Sequence, residues 1–139
     1  MTLHLVAKEV AQTNIDKFNE LGAFNGEDTC EYHYEQRPFH CAIGVCDPKE
    51  ELLGAQEPID ILIEMGSVTT DDPNLLKFIQ VLHDYRTRDD EVDYDFVYRC
   101  THPDNICIPP IVYELVSPIK NPGDVTPELY IEVMRRLAQ

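Results

Sequence analysis

Basic residues are scarce in this chain: 11 Lys and Arg stand against 26 Asp and Glu, a formal charge of −15 over 139 residues. That deficit disfavours contact with nucleic acid or an anionic membrane and favours a partner with a basic surface. Serine is nearly missing, with Ser67 and Ser117 as the only two, so no credible serine triad can be assembled. Neither a glycine-rich phosphate loop nor a His-Glu-x-x-His pair occurs. No apolar run approaches the length that spans a bilayer. Residues 1–20 carry acids among their apolar positions and lack the uninterrupted apolar stretch and small-residue cleavage site of a signal peptide. These absences point to a cytoplasmic, non-enzymatic protein without a membrane partner.

What is present is enough to fold. The hydrophobic share is 43%, unlike that of a disordered acidic tail, and the length suits one compact domain over residues 1–139. Ala7, Ala11, Ile15, Phe18 and Leu21 recur at helical spacing, with Gly22 as a stop. Cys30, Tyr32 and Tyr34, then Phe39, Cys41, Ile43 and Val45, alternate with other residues as two short strands of a hairpin would. Helices begin at Asp47-Pro48, Asp72-Pro73 and Thr126-Pro127, where a capping side chain precedes proline at the first helical position. Glu57-Pro58 starts a further short helix through Met65, closed by Gly66. Val92, Tyr94, Phe96, Tyr98 and Cys100 alternate with period two and predict a strand. Pro109-Pro110 confines Ile106–Val116 to an edge strand or an extended connection, and 117–124 reads as a linker. The fold class expected is α+β, about four helices packed on a small, mostly antiparallel sheet.

The acid is unevenly spread. Residues 47–104 hold 15 acids and 5 bases, whereas residues 1–46 hold 7 and 3 and residues 105–139 hold 4 and 3. The densest run is Asp84, Asp89, Asp90, Glu91, Asp93 and Asp95, relieved by Arg86 and Arg88. A solvated face is the plainest reading of such a run. A calcium loop starting at Asp89 fails, because Tyr94 stands where glycine is needed and Cys100 where glutamate is. Mimicry of nucleic acid is the sharpest alternative: carboxylates on one strand face lie about 6–7 Å apart, close to the spacing of successive phosphates. Partner binding is therefore assigned to Asp71, Asp72, Asp84, Asp89, Asp90, Glu91, Asp93 and Asp95, facing a basic surface on a protein. Tyr94, Phe96 and Tyr98 fit either a core or an interface.

Cysteine and histidine cluster in two windows, Cys30, His33, His40, Cys41 and Cys46, then Cys100, His102 and Cys107. Thiolate and imidazole are the ligands of structural zinc, so Cys30, His33, Cys41, Cys46, Cys100 and Cys107 form an alternative metal-binding set. No Cys-x2-Cys knuckle is among them, and small buried hydrophobes are the plainer role for free cysteines at apolar strand positions. No cofactor is otherwise called for. A thiol-dependent enzyme is a second alternative; Cys46 precedes a helix N-terminus, but the aspartate there opposes thiolate formation.

From the first helix through Leu21-Gly22-Ala23-Phe24 to His40-Cys41-Ala42-Ile43-Gly44-Val45-Cys46, the chain resembles small bacterial and phage domains of unknown function. The overlap covers about the first third. The resemblance implies no activity, but it does imply an origin among bacteria or their viruses. Compact acidic inhibitors of nucleic-acid-handling defence systems, the anti-CRISPR and anti-restriction proteins, occur there.

Overall fold

In the computed structural model, residues 2–26, 31–34, 39–86, 94–102 and 108–139 are described. Strand β1 (Leu3–Leu5) leads into α1 (Ala7–Asp16); α2 (Ile59–Glu64), β2 (Val68–Thr70), α3 (Pro73–Tyr85), α4 (Tyr94–Thr101), α5 (Pro110–Val116) and α6 (Pro127–Leu137) follow. The described elements are thus six α-helices and one small sheet, joined by 3-10 turns.

That sheet corrects the expected antiparallel one. It has two strands, β1 and β2, paired in parallel with Leu3 opposite Val68 and Leu5 opposite Thr70. A parallel pair needs a long crossover, and here everything from Val6 to Ser67 supplies it. Helices form the bulk of the core: α1 packs on α3 and α6, α2 on α3, and α5 on α6. Phe24 lies 4.8 Å from Tyr130 and 5.1 Å from Phe18 between ring centroids, and Tyr85 stacks on Phe96 at 4.6 Å.

Three helices follow their sequence signals. The Asp72 side chain accepts from the Leu75 amide at the start of α3, with Pro73 first in the helix. Thr126 does the same for Leu129 in α6. Helix α2 begins after Pro58, and Gly66, at φ 80°, turns the chain into β2. Helix α1 stops at Asp16, short of Leu21, and gives way to 3-10 turns over Phe18–Glu20 and Gly22–Asn25.

Other segments depart from expectation. Residues 94–101 are helical, not extended. Phe96 and Cys100, four apart, are the buried pair, and Asp95 and Arg99, also four apart, form an ion pair at 3.1 Å. The alternation in sequence is compatible with both periods, and burial of Phe96 against Tyr85 selects the helix. Phe96 is therefore core and Tyr98 is exposed, stacked on His102 at 4.1 Å. Pro109-Pro110 opens α5 instead of interrupting a strand: Pro109 is extended at ψ 149°, Pro110 is the first helical residue, and Val112 and Val116 are buried. The hairpin shrinks to one antiparallel bridge, His33 to His40. Asp47-Pro48 starts no helix; turns fill 48–54, because the Asp47 carboxylate is drawn to His33 and the Leu52 amide.

Candidate functional site

The carboxylates assigned to partner binding do not share one face. Asp71 and Asp72 precede α3, while Asp84 lies near its far end, about 18 Å along a helix rising 1.5 Å per residue. Asp71 accepts the Ala7 amide at 2.9 Å, anchoring the start of α1, and that bond holds its carboxyl below the usual range. Asp72 caps α3, Asp84 contacts Nδ1 of His83 at 3.2 Å, and Asp95 pairs with Arg99. Asp89, Asp90, Glu91 and Asp93 lie outside the described residues.

Asp84 does belong to a concave site. A cleft of about 350 Å³ opens between the segment 31–32, Cys41, the chain at 55–58 and the last turns of α3. Glu31, Glu57 and Asp84 are among the residues that line it, and no Lys, Arg or His is. Its floor is held by a polar chain. Buried Gln80 donates through Nε2 to the Tyr32 hydroxyl at 3.0 Å and accepts the Ile59 amide through Oε1 at 2.9 Å. The Tyr32 hydroxyl in turn donates to the Glu57 carbonyl at 2.7 Å. These bonds fix the backbone that carries Glu57, so the carboxylate spacing is built in before any ligand arrives.

The wall carrying Tyr32 owes its position to Gly44. A Cβ at residue 44 would overlap the Tyr32 carbonyl oxygen and crowd the atoms behind it. The glycine of the Cys-Ala-Ile-Gly segment is therefore a close-approach residue, one that lets two backbones touch.

Beneath this wall lies a second arrangement. Nε2 of His33 is 2.9 Å from Oδ2 of Asp47, and Nδ1 of His33 is 2.8 Å from Nδ1 of His40. Oδ2 of Asp47 also accepts the Leu52 amide at 2.7 Å. The side chains of His33 and Asp47 are each 1% exposed. Burial and the neighbouring His33 lower the pKa of His40, although Glu20 and Glu50 act the other way.

The candidate zinc ligands are dispersed. Both ring nitrogens of His33 are engaged by Asp47 and His40, which leaves none for a metal. Buried Cys41 accepts the Gly44 amide at 3.3 Å; the Cys46 thiol donates to the Ala42 carbonyl at 3.8 Å; Cys100 is buried on α4. Among the described residues no three His, Cys, Asp or Glu side chains come together as a metal site. Cys30 and Cys107 lie outside the described residues. Burial pushes the Cys46 and Cys100 thiols up to about 12, the reverse of what a nucleophile needs.

Glu31 and Glu57 escape sequence reasoning, since Glu31 stands in an alternating segment and Glu57 marks a helix start. Among the described residues no helix is long and apolar enough to cross a membrane. Comparison with protein-family models, curated proteins and solved structures returns no match.

Proposed function

We propose that this chain is a non-enzymatic inhibitor that occupies a basic, phosphate-binding surface on a partner protein, with Lys or Arg side chains of the partner entering the cleft between Glu31, Glu57 and Asp84. The supporting observation is the cleft itself: three carboxylates on a preformed concavity with no basic side chain in its lining. Such a site suits an ammonium or guanidinium group, which gains charge-assisted hydrogen bonds and a shaped recess together. The −15 charge of the whole chain would speed the approach of a basic partner and make binding fall with salt.

The test is capture of partners from a bacterial lysate at low and high salt, using the full chain and its Glu31→Gln/Glu57→Gln variant. A basic protein retained at low salt by the full chain and lost by the variant supports the proposal. Equal retention by both removes the cleft from it.

A further inference from the structure

Two imidazole nitrogens 2.8 Å apart require one hydrogen between them. In the Asp47–His33–His40 chain that requirement fixes the proton count. The ionised Asp47 carboxylate only accepts, and it already takes the Leu52 amide, so Nε2 of His33 carries hydrogen. Oδ1 of Asp47 is buried with no hydrogen-bond partner among the described residues, which leaves the carboxylate dependent on the His33 N–H. With both rings neutral, Nδ1 of His33 accepts from Nδ1–H of His40. One further proton can be placed on either ring without loss of the contact. A second puts hydrogen on both Nδ1 atoms, and the contact becomes a repulsion between two cations.

We propose that Asp47, His33 and His40 form an acid-operated latch that stays closed with one added proton and opens with the second, releasing the segments at 31–34 and 39–41 that wall the acidic cleft. Closure is otherwise maintained by few bonds: the His40 amide to the Glu20 carbonyl at 2.9 Å, the Gly22 amide to the His40 carbonyl at 3.0 Å, and the Cys41 amide to the Glu31 carbonyl at 3.2 Å. The charged groups facing His40 come from two other segments, Lys17 and Glu20 after α1 and Glu50 in the turn after Asp47. Glu20 and Glu50 favour the first added proton; His33 and Lys17 oppose charge on His40. Because Glu31, Tyr32 and Cys41 line the cleft, opening changes its shape whatever occupies it.

The experiment uses the full chain labelled with 15N. Histidine ring nitrogens are followed by long-range 1H–15N spectra from pH 7.5 to 5, together with hydrogen exchange of the Gly22, His40 and Cys41 amides corrected for intrinsic rates. The opening constants of these three amides are expected to rise up to about tenfold per pH unit once the first proton is bound, while those of α3 and α6 stay level. His40→Asn keeps an N–H to donate to His33 without a titrating ring, and the rise is expected to vanish in it. Two doubly protonated rings at pH 5 with the three amides still protected would overturn the latch, as would an unchanged rise in His40→Asn. If that variant fails to fold, the spectra of the unaltered chain decide between the same two results.

Discussion

The Tyr130 hydroxyl donates a 2.7 Å hydrogen bond to Oδ1 of Asn14, 116 residues away in sequence. Nδ2 of Asn14 donates to the carbonyls of Val10 at 2.8 Å and Ala42 at 2.9 Å. One buried amide thus joins α1, α6 and the segment leading to Gly44. Tyr130→Phe removes one donor and leaves a buried oxygen unsatisfied, so a loss of about 1–3 kcal/mol is expected in denaturant unfolding. An unchanged midpoint would show that this bond does not hold the three segments together.

Gly44 and Gly54 provide a paired test of the close approach to Tyr32. Gly44→Ala drives a methyl into the Tyr32 carbonyl and is expected to cost about 3 kcal/mol or more, or to prevent folding. Gly54 has φ 83° with nothing within 4 Å of its would-be Cβ. Gly54→Ala therefore carries only the left-handed backbone penalty, about 1–2 kcal/mol. Thermal unfolding of the two variants gives the comparison.

Asp72→Ala removes the α3 cap and is expected to lower stability by about 1 kcal/mol. Asp71 adds a pH dependence. Its folded pKa lies below the ordinary 3.8 because the Ala7 amide favours the carboxylate. Its contribution is therefore complete above the unfolded pKa and disappears as pH falls through the folded one. Asp71→Asn should flatten that part of the acid limb, which unfolding midpoints between pH 5 and pH 2 would detect.

Cys46 and Cys100, each pushed up to about 12 by burial, should react slowly with a maleimide near neutral pH in the native chain. In denaturant both should react at the rate of an unperturbed thiol. Mass spectrometry of labelled peptides follows each site separately, and fast native labelling of either would contradict its burial.

The parts of the fold that local chemistry decides were legible in sequence. Asp72-Pro73 and Thr126-Pro127 name their helices because cap, proline and apolar spacing agree, and Gly66 ends α2 through a positive φ. Helix α4 was not legible, since Phe96, Tyr98 and Cys100 satisfy both periods until Tyr85 supplies a face for Phe96 to stack on. Strands β1 and β2 have three residues each and are made by a pairing 65 positions apart, His4 with Thr69. The site divides the same way. Asp84 belongs to the acidic run, but Glu31 and Glu57 meet it only after the Gln80–Tyr32 bond, 48 residues apart, brings their segments together. Asp71 and Asp72 look like free acids in a charge count, and the folded chain uses both to fix helix N-termini.

The most direct test of the acidic cleft compares two sets of charge changes. Glu31→Gln, Glu57→Gln and Asp84→Asn neutralise the cleft, whereas Glu9→Gln, Glu114→Gln and Glu128→Gln remove the same charge from exposed positions on α1, α5 and α6. Affinity for a fluorescent arginine-rich peptide is measured for both at low salt. A loss of more than about tenfold in the first set, about 1.4 kcal/mol, against less than about twofold in the second is expected if the cleft is the docking site. Equal losses would show that net charge alone attracts the peptide and would contradict the proposed site.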